Sequence, residues 1–252
     1  MVRAVRPARR VVGSAVCALA YAIGVPFGGT LHAAAPAPTD VMGGSVTGRI
    51  SFTGTVPAAV KRKLIEDPNC AALHENGLEI QNLRVRDGSV AEVLVYVKTG
   101  VTGKYSPPSQ YVLIDQRGCE WYPRMVAVMA GQPLRIRNSD HTSHNVHPLP
   151  KINKEFNIMQ PRKGMEFTRT FDKPELMIPL GCAAHPWMEA YISVLAHPFY
   201  FVTGEDGRFE IKGLPDGEYE IEAVHGALKT LTGRVTVTGA APAKLDLTYA
   251  PK

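Results

Sequence analysis

Residues 181–188 read Gly-Cys-Ala-Ala-His-Pro-Trp-Met, so Cys182, His185 and Met188 follow the pattern Cys-x2-His-x2-Met. A thiolate, an imidazole and a thioether at this spacing fit on one short loop and can converge on one ion. A soft anion, a borderline nitrogen and a weak soft sulfur together suit copper in both oxidation states. Zinc sites are built instead from thiolates, imidazoles and carboxylates. Three donors on one loop still lack a second imidazole. The segment Asn-Ser-Asp-His-Thr-Ser-His-Asn-Val-His, residues 138–147, offers His141, His144 and His147 as sources of one.

The cysteine count adds a second argument. The chain has four cysteines, and Cys17 lies in the N-terminal apolar run. An exported protein works in an oxidising compartment, where free thiols are unusual. Cys70 and Cys119 are then available to pair, which leaves Cys182 single and in need of a reason such as a metal thiolate. Cys70-x3-His74 is an alternative use of Cys70 as a second metal ligand; a Cys70–Cys119 disulfide with an exposed His74 is the simpler expectation.

The elements that must position these donors read as β-strands. Short runs rich in β-branched and aromatic residues recur at Val46–Phe52, Leu78–Val85, Glu92–Lys98, Tyr111–Ile114, Met125–Val128, Leu134–Asn138, Phe167–Phe171 and Tyr191–Ala196, punctuated by Gly, Pro, Asn and Asp. Such spacing favours a sandwich or barrel. The one short helix expected spans Ala58–Leu73. After His197 the pattern becomes a series of hairpins, with turn signals at Glu205-Asp206-Gly207 and at Gly213–Gly217.

The N-terminus reads as an export signal. Arg3, Arg6, Arg9 and Arg10 precede an apolar run from Val11 to about Val25, followed by small residues around Ala33-Ala34-Ala35. The run is short and interrupted for a membrane span, and an uncleaved anchor is the competing reading. Arg9-Arg10 permits twin-arginine export. We expect residues 1–34 to be a signal peptide and 35–43 a linker, giving a periplasmic or secreted protein without stable membrane insertion after cleavage. Four of the 28 basic residues fall in the first ten positions, while none of the 23 acidic residues precedes Asp40. Beyond the signal the chain is therefore nearly neutral, and it shows no basic stripe for nucleic acid.

With these residues in view, the two donor segments resemble those of the type 1 blue copper proteins, the cupredoxins, and most closely the amicyanin-like ligand loops. The resemblance covers roughly Gln132 to Ala196. It implies a Greek-key β-sandwich holding one mononuclear copper ion, with His144 as the upstream ligand, Cys182 and His185 completing a trigonal plane, and Met188 as the axial ligand. It further implies that Asn145 holds the two loops together, that Pro186 stiffens the ligand loop, and that His147 is a structural neighbour. Ala183 stands where the family places Ser or Thr, so Asn145 is left with backbone contact alone. Gly181 and Leu180 stand where aromatics are usual, so a more open or hydrated site is expected. His185 is expected to turn an imidazole edge to the surface, with Trp187 either an apolar docking face or a packing residue.

The segment Asp-Gly-Arg-Phe-Glu-Ile-Lys-Gly-Leu-Pro-Asp-Gly-Glu-Tyr-Glu-Ile-Glu-Ala-Val-His, residues 206–225, resembles the carboxypeptidase regulatory-like or transthyretin-like β-module. That likeness implies a small antiparallel sandwich without chemistry of its own. The expected organisation is thus an all-β chain: a cupredoxin-like domain at 44–197 and a regulatory-like module at 198–252, with the first strand, 44–53, open to sharing with that module.

The remaining histidines read as bland. His141 is expected to face solvent; His197 and His225 are expected to be satisfied structurally. No Ser-His-Asp arrangement, phosphate loop or carboxylate pair suggests an enzyme, and four ligands leave no open position for a substrate. The resulting expectation is a single-electron carrier between redox partner proteins. Copper delivery or storage is the first alternative, and a non-redox adhesion or interaction module the second.

Overall fold

A computed structural model describes residues 43–251, and the expectations for the signal peptide and most of the linker lie outside them. The described chain is all-β, interrupted by one short helix, Pro68–Leu73. Its strands form two face-packed sandwiches.

The first sandwich holds the donor segments. One sheet runs in the order Glu166–Arg169, Leu134–Asn138, Val112–Gln116, Trp121–Tyr122. The facing sheet runs Ile158–Gln160, His144–Pro148, Glu175–Gly181, Glu189–Leu195, Met125–Met129. In Leu134–Asn138, Leu134, Ile136 and Asn138 are buried while Arg135 and Arg137 are half-exposed. That alternation is the period-two signature of a strand with one face inward. The core between the sheets includes Ile114, Trp121, Val126, Ile136, Val146, Phe171, Ile178 and Ile192.

The second sandwich combines the two ends of the described chain. Gly44–Phe52 pairs antiparallel with Arg208–Leu214 and parallel with Ala243–Lys244 and Leu247–Tyr249. Ser89–Val90 and Val85–Arg86 extend the same sheet. The facing sheet runs Tyr200–Val202, Leu94–Thr99, Gly217–His225, Leu228–Val237. Phe209, Ile211, Ile221 and Tyr249 fill the space between. The turn before Arg208 needs Gly207, whose φ is +65° and whose added Cβ would meet the Ile50 carbonyl oxygen at 2.5 Å.

This pairing differs from a division at residue 197. Strands as early as Leu94–Thr99 hydrogen-bond to Tyr200–Val202 and Gly217–His225. The physical reason lies in their two apolar faces. Val95 and Val97 point into the second core, while Leu94 and Tyr96 point the other way, onto Met125, Met129 and Leu195 of the first sandwich. Met125–Met129 is buried along its whole length for the same reason, with Val126 and Val128 facing the first core and Met125 and Met129 facing this junction.

The helix also departs from expectation. Within Ala58–Leu73 only the last six residues are helical, and Val60–Arg62 instead pairs as a strand with Leu78–Ile80. Asp67 caps the helix by accepting from the N–H groups of Asn69 and Cys70, and Pro68 occupies its first turn. A side-chain cap followed by proline fixes a helix start at that point. Cys70 on this helix is disulfide-bonded to Cys119. Among the described residues, no helix is long and apolar enough to cross a membrane.

Candidate metal centre

Two adjacent strands bring the donor segments together. His144 begins His144–Pro148, and Cys182 follows directly on Glu175–Gly181. These strands pair antiparallel with His147 opposite Gly181. The pairing places Cys182 beside Asn145, whose backbone N–H donates to Cys182 Sγ at 3.3 Å. The loop then curls through two turn bonds, from His185 N–H to the Cys182 carbonyl at 3.2 Å and from Met188 N–H to the His185 carbonyl at 2.9 Å. This curl folds the His185 ring back over Cys182. Pro186, with its fixed φ, sits inside the curl. Asn145 ties the loop down further, its side-chain oxygen accepting from the Ala183 N–H.

The result is a convergence of three donor atoms. His144 Nδ1 and His185 Nδ1 lie 2.9 Å apart, and Cys182 Sγ lies 3.6 Å from His185 Nδ1 and 4.0 Å from His144 Nδ1. Bond lengths of about 2.0 Å to nitrogen and 2.3 Å to sulfur at near-tetrahedral angles would separate donors by about 3.3–3.5 Å. The observed triangle matches that size to within about half an ångström. The site is closed: His144 is 0% exposed, His185 2% and Cys182 5%. Met188 is buried in the same apolar cluster as Cys182.

The outer nitrogens are also engaged. His144 Nε2 meets Asp140 Oδ2 at 2.9 Å, and His185 Nε2 meets Asp67 Oδ2 at 3.1 Å. A carboxylate can only accept, so each Nε2 carries a proton and each Nδ1 is the nitrogen turned inward. Two imidazole nitrogens at 2.9 Å require a proton shared between them or a metal ion in its place. The inward pair together with the free sulfur of Cys182 is the donor set by which the residues fit a soft or borderline metal ion.

The electrostatics agree. Burial pushes the Cys182 thiol up, but hydrogen bonds from His144, His185 and the Asn145 N–H outweigh it and hold the thiol down at about 6. Thiolate therefore prevails at neutral pH, as a metal ligand requires. Burial also works against protonated His144, yet Asp140 and Cys182 raise its pKa above the ordinary value. The carboxyl of Asp67 is destabilised as an anion by burial, but Thr142, the Cys70 N–H, His185 and the Asn69 N–H bring it to about 2.

Other residues singled out by sequence fall elsewhere. His147 is half-buried and pairs with Glu155 at 2.6 Å, away from the three donors. His141 is exposed. His74, expected to be exposed, is half-buried and bonds the Gly118 carbonyl at 2.8 Å. Two further expectations are corrected. His185 shows no edge to the surface, because the helix start at Asp67 and the Cys70–Cys119 bridge cover it; Cys70 Sγ lies 3.8 Å from His185 Nε2. Leu180 and Gly181 do not leave the site open, since His144, Cys182 and His185 are all buried. Trp187 is 8% exposed and donates to the Cys119 carbonyl at 3.0 Å, so it packs rather than presents a face.

Sequence reasoning missed Asp67 and Asp140. Asp140 lies four residues before His144, and Asp67 precedes a proline as a helix cap; neither pattern by itself speaks of a metal. Two further donor groupings, Asp67-Cys70-His185 and Cys119-Asp140-His144, each include a half-cystine already committed to the disulfide. His144, Cys182 and His185 form the grouping whose sulfur is free.

No family model matches the chain, and no curated protein matches it. Among solved structures, similarity is found to a copper-containing nitrite reductase from Thermus scotoductus SA-01, at 21% identity and TM-score 0.30, covering 38% of this chain and 24% of that one. A purple cupredoxin from Nitrosopumilus maritimus is similar at 19% identity and TM-score 0.29, covering 32% of this chain and 97% of that one. A mutant of amicyanin in the Cu(I) form is similar at 19% identity and TM-score 0.30, covering 36% and 99%. The chain thus spans about a quarter of the nitrite reductase and nearly all of the two smaller proteins. A likeness at this level assigns neither family nor function.

Proposed function

We propose that this is an exported mononuclear copper protein that carries single electrons between redox partner proteins. The observation that carries the reading is the closed triangle of His144 Nδ1, His185 Nδ1 and Cys182 Sγ, with both Nδ1 atoms turned inward. His144, Cys182 and His185 would hold the ion, with Met188 as the fourth, weaker donor. Copper in such a set supplies a one-electron couple between Cu(II) and Cu(I).

The chain's own part is to keep that set still. The Asn145 N–H donates to the thiolate, and the Ala183 N–H fixes the loop to Asn145. The helix start and the disulfide lie against His185 and help bury the donors. A donor set that cannot rearrange loses little energy to reorganisation when the charge of the bound ion changes. Every placed donor is buried, which supports a carrier, since an electron can reach the ion without a molecule touching it. Burial also favours a resident ion over cargo for delivery or storage. The Cys70–Cys119 disulfide supports an oxidising, periplasmic or extracellular setting.

The test is copper-loaded spectroscopy of the chain lacking residues 1–34. The expected result is one copper per chain and an intense band at about 600 nm that bleaches on reduction, as Cu(II)–thiolate bonding in a His2Cys site gives. Binding of Cu(I) alone without the band would replace electron carriage with copper handling. Absence of any copper binding would leave a non-redox interaction module.

A further inference from the structure

The two carboxylates behind the imidazoles are seated in one structure. Asp67 Oδ1 accepts from the N–H groups of Asn69 and Cys70 at 2.8 and 3.0 Å, which leaves Oδ2 for Thr142 and His185. Asp140 Oδ1 accepts from the Gly118 N–H at 2.7 Å, and Oδ2 from the Cys119 N–H at 2.8 Å and from His144. Each carboxylate is thus bonded to the backbone of one half of the Cys70–Cys119 bridge and to one of the two imidazoles. The bridge spans 49 residues of sequence and draws both anchors to the same side of the site.

We propose that Asp67 and Asp140 are paired positioning residues that the disulfide holds behind His185 and His144, fixing both rings with Nδ1 inward and biasing the site toward the more highly charged Cu(II). The inference rests on the copper reading for its second half only. A carboxylate accepting from the far N–H of a ligating imidazole fixes its tautomer and orientation and makes the near nitrogen more basic. Two such anions near a buried ion favour the oxidation state with the greater positive charge. The pair also explains the cover over His185: the segment that buries the ring is the segment that carries its carboxylate.

The cleanest probe is Asp67→Asn. The retained Oδ1 still accepts from Asn69 and Cys70, so the helix cap survives, while an amide N–H2 replaces the oxygen facing His185 Nε2. Two donors then meet, and the ring loses its fixed tautomer. Asp140→Asn, which also disturbs the Cys119 N–H, and Asp67→Ala, which removes the cap, serve as comparisons.

Two readouts separate the halves of the inference. Nitrogen-15 NMR of the metal-free protein at neutral pH is expected to show a proton on Nε2 of both rings, and in Asp67→Asn a loss of that fixed state at His185 alone. A bare Nε2 on either ring of the unaltered protein would overturn the positioning role, whatever copper does. In the copper-loaded protein, Asp67→Asn is expected to weaken Cu(II) relative to Cu(I) by about tenfold, at the lower end of effects on such outer partners, which for a one-electron couple raises the potential by about 59 mV. An unchanged potential with the visible band intact would overturn the bias while leaving the copper reading standing. If the unaltered protein binds no copper, the copper reading and the bias fall together, and the NMR result still decides the positioning. A melting temperature near that of the unaltered chain is expected for Asp67→Asn and a lower one for Asp67→Ala; a purely structural Asp67 would move potential and stability together across the two variants.

Discussion

The two sandwiches solve different problems with the same strand vocabulary. The one built around the donor loops buries His144, His185, Asn145, Asp140, Asn138, Gln116, Gln160 and Asp115 along with its apolar core. The one built from the chain ends buries Val46, Ile50, Phe209, Ile211, Leu214, Ile221 and Val237, with few polar groups beyond Ser89 and Thr203. Each buried polar group costs desolvation that its hydrogen bonds offset only in part. In the first sandwich that cost goes into geometry: Asn138 Nδ2 donates to the carbonyls of Thr142 and Gln160, both at 2.9 Å, and so shapes the turn leading to His144. The second sandwich has no such obligation and contributes apolar burial. Site and stability are therefore separable, and mutations should separate them.

The largest expected effect is on the site alone. Cys182→Ser should abolish the visible copper band completely while the chain keeps its fold, read by absorption and circular dichroism; a surviving band would disprove the ligand set. The mirror experiment is Ile221→Ala, where the side chain is fully buried in the second core. It should cost about 2–5 kcal/mol in denaturant unfolding and leave the band unmoved. A shifted band would show that the junction through Leu94, Tyr96 and Met125 couples the two halves.

How legible this was in sequence depends on the range of the interaction. Cys182 and His185 share one loop, so their spacing spoke directly. The β-class was readable because strands such as Leu134–Asn138 alternate, with arginines outward. Leu94–Thr99 was harder to assign to a partner. Its four leading residues are buried, and a strand with two apolar faces gives no sign of which sheet lies on which side. The expected helix was too long because local propensity over Ala58–Leu73 lost to strand pairing at Val60–Arg62 and to the stop that Asp67-Pro68 imposes. The exposure of His185 was misjudged because its cover comes from a segment 118 residues earlier, joined by an aspartate that looks like an ordinary cap.

Intermediate effects test what joins the parts. Replacing Cys70 and Cys119 together by alanine should cost about 2–4 kcal/mol, since the bridge closes a long loop, and should also loosen the carboxylate pair, seen as faster copper loss to a chelator. Stability should also respond to pH at the junction. Burial, and then the charge of Arg124, depress His225 to about 4 from an ordinary 6.5. The fold therefore holds His225 neutral, with Nδ1 accepting from the Ala227 N–H at 3.1 Å. Its contribution is complete above pH 6.5 and is lost as pH falls toward 4, at most roughly 3 kcal/mol across that window. His225→Gln should flatten that part of the stability–pH curve.

The smallest effect returns to the donor sandwich, at a carboxylate bonded to a loop rather than to the imidazoles. Glu175 accepts from the N–H groups of Ile152 and Asn153 at 3.1 and 2.9 Å, and also from that of Lys151, closing the loop after Pro148. Burial opposes its charge, but those bonds and the Asn153 side chain hold its pKa below the ordinary value. Because the folded pKa is lowered, its contribution is present above the ordinary carboxylate range and is lost as pH falls through the folded value. Glu175→Gln should cost about 1–2 kcal/mol at pH 7 and remove part of the acid-side loss of stability, without changing the band. That outcome would show that buried polar groups in this sandwich divide into those that serve the three donors and those that only close its loops.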